Sequence, residues 1–306
     1  MKMDIESFDF NTLEEYISKS QHINCTKDYI FHYTGLESLI NMLKTSTLWA
    51  TNCEYLNDLL ELKDIERLYK NIIDNATDEK FKKYIGIYKE DIHEGILKKL
   101  RKQTYIISFS RDNDSVAMWK NYGKNGIVLE FDTPTMIDTV KVDEINILDR
   151  DGAVKEISTI KRYGEAMYDD SRIISILEQS FEALTRLHEI NNPEKEKEIQ
   201  DNLFNVIFDT LNAAFILKKD KNFSYENEIR IAYTLKDEYV GKVEHFRARN
   251  NLITPYIVID FNGKLPLKSI TINPEQKDDM YEDGIRNLLK AYDYDIPINY
   301  SSSKVR

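Results

Sequence analysis

Four short stretches of the chain hold side chains whose types and spacing could do chemistry. Tyr29-Ile-Phe-His-Tyr-Thr34 sets a histidine in an aromatic, β-branched run that reads as a strand. Alternation puts His32 and Thr34 on one face, Phe31 and Tyr33 on the other. A histidine at a strand end suits a ribose hydroxyl, and it equally suits a satisfied structural role. Ile107-Ser108-Phe109-Ser110 is a second strand, with Ser108 and Ser110 on one face and Phe109 opposed. The helix expected from Asp114 carries Met118, Trp119 and Tyr122 on one side. Met118 and Trp119 read as core, whereas Tyr122 could lay its ring beside a planar ligand.

In the third stretch, Tyr225-Glu-Asn-Glu-Ile-Arg230, a strand would project Glu226, Glu228 and Arg230 from one face. A solvated face and a cleft both accommodate such a set. The apolar continuation Ile231-Ala-Tyr-Thr-Leu235 adds weight to the cleft, because carboxylates entering a buried strand are common in functional sites. The fourth stretch, Glu54–Glu61, holds Asn57, Asp58 and Glu61 in capping-box spacing. Capping explains it more simply than metal binding.

The elements that must position these groups follow from periodicity. Strands are expected at 29–34, 47–50, 104–110, 126–131, 140–147, about 226–235, 239–246, 254–260, 269–272 and 296–300. Helices are expected at 11–19, 36–43, from Asp114, and at 275–292, with two more in 54–102 and a helical stretch over 165–220. Within that stretch Phe204, Ile207, Phe208, Leu211, Phe215 and Ile216 form an apolar stripe, and Glu194–Glu198 alternate in charge. Strands and helices mix without regular βαβ alternation, which argues for α+β with a mainly antiparallel sheet core. No repeat or Pro/Gly/Ser linker divides the chain, so the expectation is one domain over 1–306, with helical insertions at about 54–102 and 165–220.

The chain has 306 residues and a formal net charge of −11. That acidity lowers the expectation of phosphate-backbone binding and favours a small-molecule or protein target. Cys25 and Cys53 fit neither a zinc site nor a disulfide framework. The acidic N-terminal segment lacks the apolar run of a signal peptide, and no apolar stretch is long enough to span a membrane. A cytoplasmic protein with no membrane partner is expected.

Taken in order, these pieces resemble the bacterial family catalogued as domain of unknown function 2971. The pattern is carried by His32-Tyr33-Thr34, Asn57-Asp58 with Glu61, Ser108-Phe109-Ser110, Met118-Trp119 with Tyr122, and Glu226-Asn-Glu228 with Arg230. Leu59 stands where the family often has proline after Asn-Asp. The order of first-strand histidine, serine strand, aromatic helix and late glutamate is also similar to the ADP-ribosyltransferase superfamily. That resemblance implies an ADP-ribosyltransferase-like fold and NAD as substrate, without a Rossmann fingerprint. It implies Glu228 as the carboxylate facing the nicotinamide ribose, Glu226 as an aid to the acceptor, and Tyr122 as the ring on nicotinamide. It further implies an NAD-binding set of His32, Tyr33, Thr34, Ser108, Phe109, Ser110, Trp119, Tyr122 and Arg230, and no metal. The acceptor is unassigned, and a toxin or phage-defence setting would bring a cognate antitoxin or inhibitor protein.

Two other readings stand beside it. Asp58 with Glu228-Ile-Arg230 loosely mimics a metal-dependent nuclease site, although arginine replaces lysine poorly there because it barely deprotonates. The same fold could also serve as a non-catalytic binding or regulatory scaffold.

Overall fold

The computed structural model describes residues 28–56, 61–75, 79, 95–123, 126–141, 144–175, 177–178, 211–249, 251–276 and 278–303. The chain divides into two compact units. One is drawn from Met1–Asn24, Asn57–Lys102 and Ala166–Lys221, the other from Cys25–Leu56, Gln103–Glu165 and Asn222–Arg306. Among its described residues the first unit is mainly helical, with one isolated bridge between Met167 and Lys218. Helix Glu61–Asn75 buries Ile65, Leu68 and Tyr69, and Leu211, Phe215 and Ile216 of the expected stripe are buried as well. Phe204, Ile207, Phe208, Glu194–Glu198, the expected helix at 11–19, and Asn57 with Asp58 lie outside the described residues.

The second unit holds every candidate strand. In chain order these are β1 (Tyr29–Thr34), β2 (Thr47–Asn52), β3 (Thr104–Ser110), β4 (Ile127–Asp132), β5 (Glu144–Leu148) and β6 (Val154–Glu165). They continue with β7 (Glu228–Leu235), β8 (His245–Arg249), β9 (Leu252–Asp260), β10 (Leu267–Ile272) and β11 (Ile298–Tyr300). Its helices are α1 (Leu36–Thr45), α2 (Val116–Asn121), α3 (Thr133–Lys141) and α4 (Asp279–Ala291). The protein is therefore α+β, with a large sheet that is antiparallel except where β11 joins β10.

Pairing in that sheet runs back on itself. β2 pairs β3, β3 pairs β7, β7 pairs β6, β6 pairs β5, β5 pairs β9, and β9 returns to β2. Alternation sends Tyr105, Ile107, Phe109, Ile229, Ile231, Tyr233, Ile257 and Ile259 into one continuous core. β1, β4, β10 and β11 extend the sheet to one side, joined to β3 only where Phe31 faces Ser110.

Four expectations need correction. The strand expected at 140–147 starts only at Glu144, because helix α3 runs to Lys141. The strand expected to include Tyr225–Asn227 begins at Glu228, because Lys221–Glu226 is a short 3-10 helix and Asn227 turns the backbone to φ 41°. Asparagine tolerates that left-handed region better than most residues. The strand expected at 239–246 is shifted to β8, since residues 236–244 form turns. β6 was not expected at all. Its alternation is filled with lysine, arginine, serine and threonine, so the hydrophobic period that marks a strand is weak.

Gly126 opens β4 where the chain passes the end of β1. A β-carbon there would press into the Thr34 carbonyl oxygen, which is backbone and can yield only if β1 moves. Gly126→Ala should therefore lower stability by about 1–3 kcal/mol, read as a lower midpoint in a thermal melt. Gly284→Ala, on α4 with open space around it, should be neutral or stabilise by about 0.5–1 kcal/mol.

Candidate functional site

Strand β3 has different neighbours on its two edges. On one edge it pairs β7 without interruption from Thr104 to Ser110. On the other, Tyr105 and Ile106 pair β2, Ser110 faces Phe31 of β1, and Ile107–Phe109 have no partner strand among the described residues. A backbone carbonyl at such a break needs a partner. The Ser108 carbonyl oxygen finds it in His32, whose Nδ1 lies 3.0 Å away. The His32 ring also meets Phe109, 5.6 Å between centroids. Nδ1 acting as donor leaves Nε2 as the free lone pair, and Nε2 makes no hydrogen bond among the described residues. Burial pushes the His32 pKa down, the Ser108 carbonyl opposes that, and the charge of Arg247 adds to the lowering. His32 is thus held neutral at neutral pH.

Residues facing each other across an antiparallel ladder share a face. Phe31, Ser110 and Glu228 form one such row, and Ser108 faces Arg230. Strand spacing puts the Glu228 backbone about 10 Å from that of Phe31, two strands away. The serines of β3 and the charges of β7 are therefore on one face. Alternation gives His32 to the opposite face, with Phe109, and it touches the serine strand through the backbone of Ser108.

Glu228 and Arg230 are 3% and 1% exposed, and their side chains meet at 3.0 Å. Arg230 stands opposite Gly164 of β6, which offers no side chain to compete for the space. Glu226, on its helical turn, is also buried and accepts a hydrogen bond from the Tyr122 hydroxyl at 2.6 Å. Its backbone carbonyl accepts from the Ser110 hydroxyl at 2.7 Å, while Asn227 bonds Asp112 and its carbonyl accepts from the Arg111 amide. These bonds tie Glu226–Glu228 to the end of β3.

The aromatic helix behaves as the sequence suggests. Ser115 caps α2, Met118 and Trp119 are buried, and Tyr33 meets Trp119 edge-on at 5.1 Å. Tyr33 is fixed further by donating to the Asp112 carbonyl and accepting from the Ser115 amide. Phe31, Tyr122 and Tyr225 are partly buried against this cluster. Thr34 is buried at the end of β1. Tyr33 and Trp119 are thereby committed to packing, and Tyr122 keeps a partly open ring beside Glu226.

Residues missed in the sequence lie on the far side of the break. The Arg247 guanidinium rests over Trp49 and Tyr256, at 5.5 Å and 5.3 Å from their centroids, and donates to Thr51 at 2.7 Å. Trp49 and Tyr256 are themselves stacked at 4.5 Å. A signal was present: His245-Phe-Arg-Ala-Arg249 alternates basic residues on one face, unusual in so acidic a chain. Among the described residues no group of three His, Cys, Asp or Glu side chains could hold a metal ion, and Asp58 is outside them. Among those residues, too, no helix is long and apolar enough to cross a membrane.

Comparison with known families gives one match. Residues 118–231 match the family described as Protein of unknown function (DUF2971). The match spans Trp119, Tyr122, Glu226, Glu228 and Arg230, and stops short of His32, Ser108 and Arg247. No curated protein and no solved structure matches the chain.

The C-terminal serines close over α2. Asp114 takes the Trp119 indole N–H at 2.8 Å, the Ser301 hydroxyl, and both the amide and hydroxyl of Ser302. Burial alone would raise the Asp114 pKa, but bonds from Ser301, Trp119, Ser302 and Ser303 outweigh it and hold the carboxyl at about 2. A depressed carboxylate stabilises the fold above its unfolded pKa near 4, and the contribution is lost as pH falls toward 2. Asp114→Asn should flatten the loss of stability between about pH 4 and pH 2, measured as melting midpoint against pH.

Proposed function

We propose that the chain binds NAD along the break in β3 and transfers ADP-ribose to an acceptor on an ADP-ribosyltransferase-like fold. The observation that carries this reading is a buried carboxylate, Glu228, beside the fixed charge of Arg230 and in register with Ser110 at the point where β1 leaves β3. In the reaction the bond between the ribose C1′ and the nicotinamide nitrogen breaks, and nicotinamide leaves with the bonding pair. An acceptor nucleophile then forms the new bond to C1′ and releases its proton. Positive charge builds on the ribose between those events. A preorganised carboxylate in a partly dry site stabilises such charge without reorganising. In this reading Glu228 supplies that charge, Glu226 takes the acceptor's proton, and Tyr122 orients Glu226 while offering a ring face to nicotinamide.

One observation favours a second reading. Glu228 and Arg230 are so fully buried that the pair could serve the fold alone, leaving a binding scaffold without catalysis. Glu228→Gln separates the two. It removes one of the charges around Arg230, so stability should fall by about 3 kcal/mol whichever reading holds. NAD turnover, measured well below the lowered melting point, should drop about 10²–10³-fold if Glu228 is catalytic. Wild-type protein that consumes no NAD, or a Glu228→Gln variant that turns it over at the wild-type rate, would leave the scaffold reading.

A further inference from the structure

Arg247 is a cation with no counter-ion among the described residues. Among the described residues it forms no ion pair, and its only hydrogen bond is to the Thr51 hydroxyl. Nε is buried without a hydrogen-bond partner, and Nη1 makes none either. Burial lowers the Arg247 pKa and the neighbouring Arg249 lowers it further, so the charge is kept against its surroundings. Guanidinium groups in proteins stay protonated nonetheless. The aromatic pair beneath it supplies a cation–π contact, which orients the plane but does not neutralise the charge.

Its position matters more than its charge. Thr51, to which Arg247 is fastened, faces Ile106, the residue at which β2 stops pairing β3. His32 bonds Ser108 from the β1 side of the same three-residue break. Arg247 and His32 thus border the break from opposite sides, and the charge of Arg247 lowers the His32 pKa. An anion placed there would meet a guanidinium that forms no ion pair among the described residues, beside β3 backbone that no strand pairs.

We infer that the break in β3 is an oxyanion site, in which Arg247 takes a phosphate or pyrophosphate group. Planar guanidinium groups match phosphate oxygens with two parallel hydrogen bonds, which a lysine cannot do. The inference stands apart from ADP-ribose transfer. NAD carries a pyrophosphate and would be one source, and any phosphorylated small molecule is another.

The test is calorimetric titration with inorganic pyrophosphate at low salt. The wild type should bind. Arg247→Gln should weaken binding by about tenfold or more, since a hydrogen bond to a charged group is at stake. Arg247→Lys should fall between them, and Arg286→Gln, an exposed residue paired with Glu282, should bind as the wild type does. Trp49 lies under the guanidinium, so its emission in the unmutated protein should shift on titration, and Trp49→Phe should lose the shift. Absence of pyrophosphate binding, or equal affinity in wild type and both Arg247 variants, overturns the site. ADP-ribose and NAD serve as competitors. If pyrophosphate binds through Arg247 and neither competes, the oxyanion site holds and NAD binding there fails. If NAD is consumed while pyrophosphate ignores Arg247, the oxyanion site fails and ADP-ribosyl transfer survives.

Discussion

The unequal pairing of β3 is the constraint on which the site depends. A central strand normally satisfies both edges, and β3 does so fully only toward β7. Toward β1 and β2 it cannot, because β1 belongs to the lateral sheet with β4 and β2 belongs to the ring with β9. Between them three residues of that edge of β3 have no partner strand among the described residues. His32 is placed by this, since its ring completes the bond that a strand would have made. Arg247 is placed by it too, through Thr51 at the last paired position of β2. On the continuous edge, register alone delivers Glu228 and Arg230 opposite the two serines.

Charge is distributed against the average. The chain is strongly acidic overall, but the acidic groups nearest the break are committed: Glu228 to Arg230, Glu226 to Tyr122, Asp114 to Trp119 and the C-terminal serines. The Arg247 charge has no such commitment among the described residues. Burying the Glu228–Arg230 pair is expensive in desolvation, and pairs of this kind gain least where an apolar pair would fill the same volume. The pair lies in register with Ser108 and Ser110, on the strand next to the incompletely paired β3.

Much of this was legible in the sequence, and the gaps have physical causes. The strands at 29–34 and 104–110 were legible because aromatic and β-branched residues crowd both stretches. Met118 and Trp119 at helical spacing were rightly read as core. The separation of Glu226 from the strand was hidden, since Glu-Asn-Glu is compatible with a strand until Asn227 is seen at positive φ. Pairing partners were beyond reach: nothing local says that β3 will share one edge between two strands, so neither the break nor the opposite-face position of His32 could be read. Arg247 was overlooked for the same reason. Its alternation with His245 and Arg249 was visible, but its neighbours Trp49, Thr51 and Tyr256 come from strands far away in the sequence.

The most direct measurement is a crystal structure of the protein soaked with NAD. The expected result is ligand density along the break in β3, with the pyrophosphate against Arg247 and the nicotinamide ribose toward Glu228. Density confined elsewhere, such as the apolar groove lined by Leu36, Ile40, Tyr281 and Leu288, or an empty break at saturating NAD, would contradict it.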